Sequence, residues 1–120
     1  MASRRKEQQE SVHLRVMRML SDNPKISTRS VADGVGISNG AAYYVLNTFV
    51  KKGFVKLESF GNNPRKGQYA YLLTPKGIGE KSLLTHRFIK RKRLEFEALR
   101  AEIIALEEEM APKTLKLDSR

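Results

Sequence analysis

Cysteine is missing from this chain altogether. That excludes a disulfide framework, a cysteine-ligated zinc site, thiol catalysis and cysteine-based redox sensing together. Histidine is almost as scarce: His13 and His86 are the two present, too few for a histidine-rich metal site. No metal and no cofactor is expected. Apolar runs are short, and none approaches the roughly 18 residues of a membrane span. The stretch from Met1 to Glu10 is polar and charged where a secretion signal needs an apolar segment. A soluble, cytoplasmic protein is the expectation, with no membrane partner. Acidic residues are the scarce charge, 13 against 23 Lys and Arg, for a formal net charge of +10 over 120 residues. Such a balance favours a polyanionic partner but says nothing about fold. With 40% hydrophobic residues the chain can fill one small core and not two.

The positive charge is uneven. Residues 1–57 hold ten basic and four acidic side chains, net +6. Residues 58–82 hold four and two, net +2, and residues 83–100 hold six and two, net +4. The last twenty hold three and five, net −2. The cationic surface therefore ends near Arg100.

From about Gln8 to Ser21, Val12, Val16, Met17, Met19 and Leu20 recur at helical spacing. Asn23-Pro24 ends that helix, because a residue before proline avoids the α region. A second helix starts after Ser27 as N-cap, with Val31, Ala32 and Val35 facing inward. Gly36 can turn with positive φ, and Ile37 follows as an apolar plug. Ser38 then caps a third helix to about Lys52, burying Ala42, Val45, Leu46 and Phe49, and Gly53 closes it. Two short helices across a glycine turn match a helix-turn-helix.

Beyond Gly53 the period changes. Phe54 to Phe60 and Tyr69 to Leu73 read as paired strands, joined by a loop, residues 61–67, with turn chemistry at nearly every position. Arg65 and Lys66 sit at its tip. Placed directly after a helix-turn-helix, this basic hairpin is a wing. Thr74 caps and Pro75 opens a long helix that meets no strong breaker before Pro112, although Gly77 and Gly79 weaken its first turns. Within it Ile89, Phe96, Leu99, Ile103, Leu106 and Met110 occupy a and d positions of one heptad frame, with Lys92 the single break. Three heptads make a short coiled coil. The expected architecture is mainly α with a small β-hairpin (α+β): a winged helix-turn-helix over residues 1–75, a long dimerising coiled-coil helix over 76–111 and a flexible tail over 112–120.

The third helix is the sharpest candidate site. With its apolar stripe buried, Ser38, Asn39, Gly40, Tyr43, Tyr44 and Asn47 stand at its start and on its outer face. Asn reads adenine edges bidentately, tyrosine hydroxyls suit phosphates or base edges, and Gly40 with Ala41 lets backbone approach a groove wall. Against this stands an ordinary solvated helix face, with tyrosines merely covering core. Arg65 and Lys66 would reach a minor groove or phosphates, although hairpin tips are often charged for solubility alone. Arg87, Lys90, Arg91, Lys92 and Arg93 wrap over half a helix circumference, so part of the cluster is expected along DNA backbone and part against Glu95 and Glu97. His13 and His86 have no ligand-spaced companions and read as structural or solvated. Glu107, Glu108 and Glu109 read as solvated helix positions. No residue constellation supports catalysis, so no enzyme is expected.

Ser38-Asn39-Gly40-Ala41-Ala42-Tyr43-Tyr44-Val45-Leu46, then Lys51-Lys52-Gly53-Phe54-Val55, then Tyr71-Leu72-Leu73-Thr74-Pro75-Lys76-Gly77 resemble the MarR family of winged-helix transcription regulators. More narrowly, a short N-terminal helix, a winged helix and a basic coiled-coil helix in that order resemble its small exopolysaccharide-associated branch. The resemblance runs from about His13 to Met110. It implies that the helix after Ser38 is the recognition helix and the loop around Arg65 the wing. Three departures stand out. One long helix replaces the extra helices that surround an effector pocket in ordinary members, so small-molecule sensing is not expected to carry over. Ala41 and Tyr43 stand where a more polar or basic pair is usual, and Pro64-Arg65 lies near where the wing usually has Asp-Arg.

The expected function is a homodimeric regulator of transcription that binds an inverted repeat in double-stranded DNA, at an exopolysaccharide-associated locus by resemblance. Two other classes compete: a protein-interaction module tethered by the coil, and a nonspecific nucleic-acid binder working by charge alone.

Overall fold

The computed structural model describes residues 2–59 and 69–111. Its elements are α1 (Ala2–Asp22), α2 (Thr28–Val35), α3 (Asn39–Lys51), β1 (Val55–Ser59), β2 (Tyr69–Leu73) and α4 (Pro75–Met110). They fall into two units, Met1–Thr85 and His86–Arg120, with α4 supplying residues to both.

α1 begins at Ala2 rather than Gln8. Arg4 to Gln9 are good helix formers with no glycine or proline among them, but they are exposed, so no apolar period announces them. Farther on, Leu14, Val16, Met17 and Leu20 are buried, and Val12 and Met19 are half-buried. Leu14 lies off the stripe read from periodicity. α1 packs against both α2 and β2, so its buried arc is wider than a single-sided helix would need.

The link after α1 is anchored rather than loose. Asn23 Oδ1 accepts from the Lys25 N–H at 3.1 Å, and the Tyr71 N–H of β2 donates to the Pro24 carbonyl at 2.8 Å. Ser27 Oγ then accepts from the Ser30 N–H at 3.0 Å and caps α2. Val31 and Ala32 are buried, and Val35 is half-buried. Gly36 ends the helix at φ 82°, in the left-handed region, where an L side chain is strained.

Ser38 repeats the device for α3, accepting from the Ala41 N–H at 3.0 Å. Its inward face, Ala42, Val45, Leu46 and Phe49, is buried as its spacing implies. Phe49 is the largest fully buried side chain, worth about 3–5 kcal/mol against alanine. β1 and β2 pair antiparallel from Val55↔Leu73 to Ser59↔Tyr69; Val55 and Ala70, on opposite faces of the hairpin by this register, are both buried.

The junction of α3, β1 and α4 explains two short motifs at once. Thr74 Oγ1 accepts from the Gly77 N–H at 3.0 Å, capping α4, and donates to the Gly53 carbonyl at 2.5 Å. Lys76 Nζ donates to the Lys52 carbonyl at 3.0 Å, at the end of α3, and lies 5.5 Å from the centre of the Phe54 ring. Gly77 passes so close to Phe54 that a Cβ there would overlap the Phe54 carbonyl. Lys52-Gly53-Phe54 and Thr74-Pro75-Lys76-Gly77 are therefore two halves of one joint. Gly77, weakening when judged by helix propensity, is required by this close approach.

In the second unit α4 is the one element among the described residues. Ile89, Phe96, Leu99, Ile103, Leu106 and Met110 are each 46–82% exposed. Leu94 and Ile104, outside the heptad seam, are exposed as well. A groove on this helix is lined by Phe96, Leu99, Arg100, Ile103 and Ile104.

Candidate nucleic-acid interface

α3 turns two chemically distinct faces to its surroundings. Inward it is held by the core and braced from behind by His13, whose ring meets Phe49 edge-on with centroids 5.2 Å apart. Outward it presents Asn39, Gly40, Tyr43, Tyr44 and Asn47, all exposed. Tyr43 and Tyr44 are 63% and 70% exposed, so neither covers core. A Cβ at Gly40 would meet nothing within 4 Å, which leaves the backbone of the first turn open to close approach. Ser38 is exposed too, but its oxygen is engaged by the Ala41 N–H, leaving the hydroxyl proton as its free donor.

Asn39, Tyr43 and Asn47 follow one another at intervals of four and so line one ridge. This ridge is neutral: no Lys or Arg occurs in α3 before Lys51. Its amides and phenols can read base edges, with adenine the natural partner of Asn. Exposed cations flank it instead. Lys51 and Lys56 are exposed at the far end of α3 and on β1, and Arg29 is exposed in the first turn of α2. A cation at a helix N-terminus opposes the macrodipole, and neither α2 nor α3 carries an acid in its first turn. Arg29 had no periodic or motif signal; its position against the dipole is the clue that sequence reasoning could have used.

Arg65 and Lys66 lie outside the described residues. The hairpin that carries them is in place up to Ser59 and from Tyr69. His86 is exposed on α4. His13 is half-buried, and its pKa is lowered from 6.5, first by burial and then by Lys52, with Glu80 and Glu10 pulling the other way. That is the environment of a neutral, structural imidazole. Among the described residues no group of acids and histidines could hold a metal ion, and no helix is long and apolar enough to cross a membrane.

Residues 10–56 match a family model described as winged helix-turn-helix DNA-binding. The fold is a winged helix-turn-helix. No curated protein matches the chain in sequence. Among solved structures, the PcaV transcriptional regulator from Streptomyces coelicolor superposes with a TM-score of 0.65 at 17% identity, covering 91% of this chain and 79% of that one. A MarR transcriptional regulator from Methanosarcina mazei Go1 gives 0.60 at 22% identity, covering 89% and 78%. The S. aureus MepR G34K mutant gives 0.61 at 16% identity, covering 99% and 93%. At these identities the likeness is one of fold. In a winged helix-turn-helix, α3 is the second helix of the motif, the one placed to enter a major groove. The β1–β2 hairpin is the wing.

Of the candidate residues, the structure brings Asn39, Gly40, Tyr43, Tyr44 and Asn47 onto one helix and Ser38 to its N-cap. It places the six seam residues together along α4 in the other unit.

Proposed function

We propose that the protein regulates transcription by binding double-stranded DNA sequence-specifically, as a homodimer on an inverted repeat. The observation that carries this is the outer face of α3, where two asparagines and two tyrosines project from a helix whose first turn is bare of side-chain bulk. Residues 1–75 form the DNA-binding part and the helix from residue 76 the dimerising part. Two-fold symmetry sets half-sites about 34 Å apart, or a multiple of that spacing. The motifs around Ser38, Lys51 and Leu73 support membership of the MarR family. The order of N-terminal helix, winged helix and basic long helix supports its exopolysaccharide-associated branch, and with it an operator at such a locus.

Selection of bound sites from random duplexes at near-physiological salt tests this. An enriched inverted repeat is expected; equal affinity for scrambled sequences would leave a charge-driven binder instead. Arg65→Ala with Lys66→Ala should lower the salt dependence of log K by roughly 1–2 units of slope. An unchanged slope would remove the wing tip from the interface. The neutral, aromatic face of α3 favours one rival, a surface that docks a protein, and that rival predicts no salt-dependent duplex binding at all.

A further inference from the structure

We infer that the exposed seam of α4 is covered by the same seam of a second copy running parallel and in register, with Glu95 of each chain facing Arg100 of the other. This rests on the homodimer proposed above and adds its orientation.

The seam lies wholly within the second unit, and among the described residues no apolar element covers it. Its a positions are Ile89, Phe96, Ile103 and Met110, and its d positions are Lys92, Leu99 and Leu106. Isoleucine at a with leucine at d is the pattern that suits two parallel strands. The flanking charges point the same way. Positions g, just before each a, are Phe88, Glu95, Glu102 and Glu109, the last three acidic; positions e, just after each d, are Arg93, Arg100 and Glu107. In an antiparallel pair g faces g, so every contact among these three sets glutamate against glutamate whatever the register. In a parallel pair g faces the partner's e five residues on. That gives Glu95–Arg100 twice by symmetry, offset by Glu102–Glu107, also twice. The antiparallel register that preserves the seam from 92 to 110 leaves a net excess of like-charge contacts, Arg93–Glu107 being its one attractive pairing.

Lys92 fixes the register. It sits at d between Ile89 and Phe96 with Nζ 3.2 Å from Glu95 Oε1. In register, both lysines share one layer, each carrying its own counter-charge. A slip by one heptad would set Lys92 against Leu99 and leave an ammonium in an apolar layer.

Because the chain has no cysteine, Leu106→Cys introduces a single thiol for the test. Parallel, in-register chains bring the two thiols together, and mild oxidation should yield a covalent dimer. In the antiparallel register that preserves the seam from 92 to 110, the introduced thiol faces the partner's Phe96. The two thiols are then ten residues, about 15 Å, apart. Two charge reversals read the same question by sedimentation. Arg100→Glu should weaken self-association about tenfold, whereas Arg93→Glu, whose parallel neighbour is Phe88, should change it less than about twofold. The antiparallel arrangement reverses this, since there Arg93 meets Glu107. A dimer that does not cross-link and is weakened by Arg93→Glu overturns the orientation alone. A chain that is monomeric throughout overturns the homodimer as well.

Discussion

Gly77→Ala and Gly79→Ala place the same methyl group two residues apart in α4, and they should move stability in opposite directions. Helix propensity favours alanine over glycine by up to about 1 kcal/mol at either position. At Gly79 a Cβ meets nothing within 4 Å, so that gain stands, and the melting temperature should rise by about 4–8 °C per kcal/mol. At Gly77 the Cβ overlaps the Phe54 carbonyl, which is backbone and cannot rotate away. That carbonyl accepts from the Thr74 N–H at 3.0 Å, and the Phe54 N–H donates to Phe49 at 2.9 Å. Overpacking costs about 1–3 kcal/mol, and a lost hydrogen bond to Thr74 about 1 more. Set against the propensity gain, the net loss is about 1–3 kcal/mol, or roughly 5–20 °C. Thermal unfolding followed by circular dichroism decides between the two signs. A Gly77→Ala protein at least as stable as the parent would refute the joint drawn between Phe54 and α4.

Asn39→Ala or Asn47→Ala should cost about 1–3 kcal/mol of discrimination between the selected operator and a scrambled duplex; an equal loss on both would mean that neither reads bases. His13 supplies a pH dependence. Its pKa in the folded chain lies below 6.5, so the unfolded chain binds the extra proton first on acidification. The stability linked to His13 is complete above pH 6.5 and declines as pH falls from there through the folded value. Denaturant titrations at several pH values should show this decline, and it should be smaller in His13→Gln; equal slopes would exclude His13 as its source. Ile103→Asp should give monomers in sedimentation and abolish tight operator binding while weak nonspecific binding survives, whereas Lys92→Leu should raise the melting temperature of the dimer. Dimers that persist in Ile103→Asp would move the contact elsewhere.

Much of the first unit was readable from local chemistry. Ser27, Ser38 and Thr74 act as caps where their hydroxyls can meet the third N–H of the next turn. Gly36 takes the left-handed turn, and the hairpin strand Tyr69–Leu73 begins and ends where its residues imply. The outward face with Asn39, Gly40, Tyr43, Tyr44 and Asn47 followed as soon as Ala42, Val45, Leu46 and Phe49 were assigned to the core. What escaped was of two kinds. The first turns of α1 form from helix propensity with no buried face, so they leave no apolar period. Arg29 belongs to no motif and has meaning only beside the end of a helix.

Caps, turns and periodic stripes are determined by the sequence itself, because each depends on residues within four or five positions of one another. The tertiary structure alone decided the joint at Gly77, the Lys76 cap on α3, the burial of Leu14 and the contact of His13 with Phe49. Each depends on a surface brought in from a distant part of the chain, and no local pattern encodes how closely two such surfaces approach. Among the described residues, the tertiary structure likewise leaves the seam of α4 exposed.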